Sequence, residues 1–110
     1  MNSIGCEALQ EKLERGDELV LLDARSPMAY AMSHLPGALN LPLVRVDERA
    51  RRVIPDGDTE VVVYCESAEC TSSTQVAARL RELGYSNVTH YSEGQRGWVE
   101  AGYALEGGQT

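Results

Sequence analysis

Apolar and polar positions alternate along this chain in two rhythms. Val61-Val62-Val63-Tyr64 is an unbroken apolar run with three β-branched residues, which predicts a strand buried on both faces. Glu18–Asp23 carries a second such run, Leu19-Val20-Leu21-Leu22, and ends in the polar Asp23-Ala24-Arg25. Leu39–Pro42 reads as a short strand ended by proline, and Val88–Tyr91 as a last one. Helical spacing fills the gaps. Ser3–Arg15 places Cys6, Leu9 and Leu13 on one face, with Gly16-Asp17 as its stop. Ser26 as N-cap and Pro27 at the first helical position open a short helix through Met28–Ser33. Val46, Ala50 and Val53 mark another, stopped by Pro55-Asp56-Gly57-Asp58. Ser72-Ser73-Thr74-Gln75 fits a capping box, followed by Val76, Leu80 and Leu83 on one face and by Gly84 as terminator. Gly94-Gln95-Arg96-Gly97-Trp98 leads into a final short helix ending near Gly102, with Trp98 as a packing residue. Met1-Asn2 and Glu106–Thr110 are expected to fray. Strands alternating with helices predict right-handed βαβ units and a largely parallel sheet covered on both faces.

Composition narrows the function classes. With 110 residues the chain is expected to form one domain, 1–110, and 43% hydrophobic with 25% charged residues is globular usage. A net charge of −7 and a pI near 4.7 argue against a nucleic-acid partner. The one basic cluster, Arg49, Arg51 and Arg52, fits a solvated helix face. No apolar run is long enough to cross a bilayer and the first residues are too polar for a secretory signal, so the expectation is a cytoplasmic protein without a membrane partner. Cys6, Cys65 and Cys70 show neither CxxC nor mixed His/Cys spacing, which argues against a disulfide framework and against a metal site. His34, beside a turn, is expected to be a structural hydrogen-bonding residue.

The chemistry gathers around Cys65. It follows the central apolar run, so it stands at a strand's carboxyl end, where open α/β sheets bind ligands. The loop Glu66, Ser67, Ala68, Glu69, Cys70, Thr71 then leads to a helix start. Backbone N–H groups of that loop and of the first helical turn can converge on an anion, and the natural anion is the Cys65 thiolate. A buried structural cysteine ending a strand is the competing reading. Asp23 and Arg25 lie at a neighbouring strand end, where a loop-tying ion pair is the simpler assignment.

Taken together, Leu21-Leu22-Asp23-Ala24-Arg25 with Tyr30, His34-Leu35-Pro36-Gly37-Ala38-Leu39-Asn40-Leu41-Pro42, Val62-Val63-Tyr64-Cys65, Gly84-Tyr85-Ser86-Asn87-Val88 and Glu93-Gly94 with Trp98 resemble the rhodanese family, over nearly the whole chain. The resemblance implies an α/β fold with an open, mostly parallel five-stranded sheet and helices on both faces. It implies a sulfurtransferase that needs no cofactor, with Cys65 as nucleophile carrying a sulfane sulfur as a persulfide. Its partners would be a small sulfur donor and a thiol or cyanide acceptor, or a protein donor or acceptor.

The sequence departs from the family pattern at three places. Ala68 stands where a glycine is usual, Cys70 where an arginine is usual, and Gln95 where a glycine precedes the tryptophan. Without the loop arginine, and with Glu66 and Glu69 present, anionic donors such as thiosulfate are disfavoured, and Arg96 is left as the candidate anion contact. Each carboxylate about 7 Å from the sulfur would cost its thiolate roughly 2 kcal/mol at an effective dielectric near 20. Several charge-assisted N–H bonds, at about 1.5–3 kcal/mol each, outweigh that. Cys70 is a candidate second thiol that could reach Cys65 if the loop curls tightly. Two other readings compete: a catalytically weak rhodanese-like binding or regulatory module, and a phosphatase or arsenate reductase on the same fold.

Overall fold

The computed structural model describes residues 2–107. Five strands, β1 (Asn2–Ile4), β2 (Val20–Asp23), β3 (Leu39–Asn40), β4 (Val61–Tyr64) and β5 (Val88–Tyr91), form one sheet in the order β1-β5-β4-β2-β3. Every pairing is parallel. The helices are α1 (Cys6–Arg15), α2 (Pro27–Met32), α3 (Val46–Val53), α4 (Ser72–Glu82) and α5 (Gly94–Glu100), with a 3₁₀ turn at Leu43–Arg45 before α3. The expected α/β sheet with helices on both faces is therefore present.

The unbroken apolar run explains the centre of the sheet. β4 lies between β2 and β5, and all four of its side chains are wholly buried. A strand in that position must be apolar on both faces, because each face meets a core. Leu22, Val61 and Val63 pack with Val46, Ala50, Val76, Ala77 and Leu80 from α3 and α4. Leu21, Val62, Tyr64 and Tyr91 pack on the opposite side with Cys6 and Leu9 of α1 and Trp98 of α5. Cys6 and Trp98 are thus core residues, and the Trp98 indole N–H donates to the Ala104 carbonyl at 2.9 Å. His34 is structural too: it stacks on Tyr30 and its Nδ1 lies 2.8 Å from the Tyr30 carbonyl.

Three local expectations are corrected. Asn2 does not fray, and the first helix does not begin at Ser3: Asn2–Ile4 pairs with β5, and Gly5 caps α1. Three residues without alternation carry no strand signal, and only the free edge of β5 recruits them. Glu106 is not frayed either, since it forms an antiparallel bridge with His34 and its carboxylate accepts the Gly37 N–H at 3.0 Å. Met1 and residues 108–110 lie outside the described residues. The capping box at Ser72 does not form. Thr71 occupies the N-cap without a side-chain bond, and the Ser73 hydroxyl instead sits 2.8 Å from Nε2 of His90, tying α4 to β5.

Burial lowers the pKa of His90 below its ordinary value of 6.5. Between the folded and unfolded values the unfolded chain binds the extra proton, so stability should fall as pH drops through about 6.5 and level off below the folded value. Denaturant midpoints at about pH 7.5 and about pH 5.5 should differ in the wild type and differ less in His90→Gln.

Candidate active site

The carboxyl ends of β2 and β4 carry the polar residues that the apolar runs leave over. Asp23 has no solvent exposure, and Arg25 is 9% exposed. The Arg25 guanidinium meets the Asp23 carboxylate through Nε, at 3.1 Å from both oxygens, and Nη2 at 2.8 Å; the Arg25 backbone N–H adds a bond at 2.8 Å. Tyr64 donates its hydroxyl to the same carboxylate at 2.9 Å and accepts the Leu35 N–H at 3.0 Å. Burial, reinforced by the Asp23 charge, drives the Tyr64 pKa far above its ordinary value, so the phenol stays a donor. Burial alone would lower the Arg25 pKa, but its bonds to Asp23 and Glu66 prevail and raise it.

Arg25 reaches onward. Its Nη1 donates to Glu66 at 2.9 Å, and Nη2 also donates to the Ser33 carbonyl. The Asp23–Arg25 ion pair expected from sequence is thus present, a second one joins Arg25 to Glu66, and the two change the electrostatics of the loop. Glu66 has a cationic partner, so the carboxylates do not repel an incoming anion equally. Glu69 is exposed as well, its pKa lowered by the Ser67 hydroxyl that donates to it at 3.0 Å and by its own backbone N–H, with Arg96 adding a smaller attraction.

Cys65 directly follows β4 and is 3% exposed. Its root is held from the far side by the first turn of α5: the Gln95 N–H donates to the Cys65 carbonyl at 3.0 Å and the Arg96 N–H to the Glu66 carbonyl at 2.9 Å. Gly94 makes this approach feasible. It has φ +71°, and a Cβ there would lie 2.7 Å from the Cys65 carbonyl oxygen and 2.7 Å from the Ser67 nitrogen. Gln95, buried, donates through its side-chain amide to the Ser33 hydroxyl at 2.9 Å. The sequence marks Gln95 as a departure, but the role of Gly94 and α5 is carried by backbone atoms; a glycine directly after Glu93 is the one trace of it in the sequence.

The loop closes on itself. Cys65 and Cys70 form a disulfide, with their Cα atoms 6.3 Å apart, in place of the free Cys65 thiol expected from sequence. The Cys70 N–H donates to the Ser67 carbonyl at 3.1 Å, so that amide does not point at an anion. No non-glycine among the described residues has positive φ, so Ala68 takes the place of the usual glycine without a left-handed backbone. Ala68 and Glu69 are exposed on the outer curve, and Thr71 ends the loop as the N-cap of α4. Arg96 and Glu100 border two adjoining shallow grooves of about 400 and about 360 Å³, which also touch Ser67, Glu69 and Glu66. A larger hollow of about 690 Å³ opens at the opposite end of the strands, beside Val20 and Glu60, and has no cysteine in its lining. Among the described residues no cluster of His, Cys, Asp or Glu is arranged to hold a metal ion, and no helix is long and apolar enough to cross a membrane.

An all-parallel α/β sheet with a cysteine at the end of its central strand defines the structural class. Residues 6–101 match the rhodanese-like domain, and the chain belongs to that family. A sulfurtransferase of Allochromatium vinosum is 32% identical over 105 residues, covering 96% of this chain and 94% of that protein. The thiosulfate sulfurtransferase PspE of Escherichia coli is 39% identical over 67 residues, 61% of this chain and 62% of PspE. Among solved structures, a thiosulfate sulfurtransferase of Pseudomonas aeruginosa superimposes on the full chain with a TM-score of 0.85 and 32% identity, although the match covers only 21% of that longer protein. A Bacillus halodurans protein gives a TM-score of 0.89 at 22% identity, a likeness of fold.

Two substitutions test this architecture. Arg25→Ala leaves a wholly buried carboxylate without its cation and should lower unfolding free energy by about 3–5 kcal/mol, read from denaturant midpoints. Gly94→Ala should cost about 1–3 kcal/mol and shift the amide resonances of residues 65–67, since its Cβ has to displace backbone.

Proposed function

We propose that the protein is a sulfurtransferase in which reduced Cys65 takes up a sulfane sulfur as a persulfide and passes it to a thiophilic acceptor. The observation that carries this reading is the position of Cys65: it directly follows the central strand β4, with its main chain fixed by α5 and its sulfur beside the loop that leads to α4. Relatives named as sulfurtransferases support the class.

The chemistry needs a thiolate and little else. The Cys65 thiolate attacks the terminal sulfur of a donor persulfide, the donor's S–S bond breaks, and the donor thiolate leaves while Cys65 keeps the sulfur. With thiosulfate the leaving group is sulfite. The disulfide form cannot react this way, so reduction of the Cys65–Cys70 bond precedes loading. Residues 66–71 contain no arginine to hold a phosphate or a sulfonate, which weighs against the phosphatase reading and disfavours thiosulfate.

After reduction, incubation with inorganic polysulfide or glutathione persulfide should add the mass of one sulfur to Cys65, detected by intact-protein and peptide mass spectrometry. Cys65→Ser should gain none at position 65, and sulfur found only on Cys6 or Cys70 would exclude the proposal. Persulfide donors should load faster than thiosulfate. Glu69→Gln should narrow that preference by about two- to fivefold, the scale of one exposed charge, and Glu66→Gln should narrow it less because Arg25 compensates Glu66.

A further inference from the structure

The acceptor in this protein has a candidate within the loop itself. Resting on the sulfur-transfer reading above, we infer that Cys70 is the resolving thiol for sulfur carried on Cys65, so that the protein turns over as a reductase of sulfane sulfur, releasing sulfide and drawing electrons from a protein dithiol.

The geometry makes the two thiols unequal. Cys65 is 3% exposed and anchored through its own carbonyl and that of Glu66, so it stays with the sheet. Cys70 is half-buried, lies at the other end of the loop, and immediately precedes the N-cap of α4. The turn that joins them uses no left-handed non-glycine residue and is closed by the Cys70 N–H to Ser67 bond, so the sulfurs meet without backbone strain. A thiol held in this way competes with thiols in solution through its high effective concentration. Glu69, exposed on the loop, adds to the disadvantage of acidic small thiols, whereas Cys70 brings no carboxylate of its own.

The step balances without another reactant. The Cys70 thiolate attacks the Cys65 sulfur of the persulfide, a Cys65–Cys70 bond forms, and the bond to the outer sulfur breaks with its electron pair, releasing hydrosulfide. The sulfane sulfur gains two electrons and the two cysteines lose two. The product is the disulfide found in the structure. To reset it, a thiolate of the dithiol partner attacks Cys70, the more accessible sulfur, and Cys65 departs as the thiolate. The partner's second thiol then attacks the mixed disulfide at the partner's own sulfur and frees Cys70, leaving the partner oxidised. Sulfur therefore arrives at Cys65 and electrons arrive at Cys70.

The test uses the reduced full chain, freed of reductant and kept without oxygen, given one equivalent of inorganic polysulfide. Wild type should release sulfide with no thiol added and finish as the Cys65–Cys70 disulfide by non-reducing peptide mapping. Cys70→Ser should hold the sulfur on Cys65 with a lifetime about a hundredfold longer or more. A thioredoxin-type dithiol protein whose second cysteine is replaced by serine should be trapped on Cys70 of the oxidised wild type. Equal persulfide lifetimes in wild type and Cys70→Ser, or trapping on Cys65, would overturn this inference while leaving the sulfur-transfer reading intact. A Cys70→Ser protein that never loads Cys65 would overturn both.

Discussion

One buried charge organises the end of the sheet that carries Cys65. The Asp23 carboxylate has no contact with solvent, and a carboxylate in that position has to be met by a cation and by donors on its remaining lone pairs. Arg25 supplies the cation and Tyr64 a hydroxyl. Asn40 binds the carbonyls of Asp23 and Arg25 through its side-chain amide, at 3.1 and 2.9 Å. Through Tyr64 the network reaches Leu35, and through Arg25 it reaches Ser33 and Glu66. Strands β2, β3 and β4 and the segment after α2 are thereby fixed relative to one another at the site. Such a cluster is a weak source of net stability, because desolvation offsets most of the attraction, but each member is costly to remove once the others are in place.

The same network sets the charge that surrounds Cys65. Arg25 faces two carboxylates, so the group as a whole is acidic, yet its acidity lies mainly in the interior at Asp23. Glu66 is held against Arg25, and the loop carboxylate without a cation bonded to it is the exposed Glu69, which accepts from the Ser67 hydroxyl. A loop built in this way separates two tasks that an arginine-bearing loop combines. The fold's cation serves the fold, and under the sulfur-transfer proposal the groups left to meet a substrate are the loop's outer residues and Arg96.

The sheet was legible in the sequence because its central strand has no polar face. A run such as Val61–Tyr64 admits few structures, and alternation with helical spacing then implies parallel pairing. The position of Cys65 was legible for the same reason, as the residue where that run ends. Edge elements were not: Asn2–Ile4 is a strand only because β5 offers it an unpaired edge, and no local pattern records that offer. The capping box failed because α4 starts one residue early: Thr71 takes the N-cap, so Ser72 already lies inside the first turn, and the Ser73 hydroxyl is engaged with His90, seventeen positions away. Gly94 and the first turn of α5 were missed as elements of the site because their contribution is made by backbone atoms, which side-chain identity does not report.

The anchoring of Cys65 by α5 has a consequence for how sequences of this kind can diverge. Any substitution at Gly94 meets close backbone approach, and one at Asp23 or Tyr64 breaks a buried bond. Ala68 and Glu69 touch little, and their side chains face solvent. Under the sulfur-transfer proposal, a change at the loop's outer curve can therefore alter donor preference without touching the buried network, so donor preference and folding rest on separate sets of positions. A lineage can explore new donors through the loop without first acquiring compensating changes in the core.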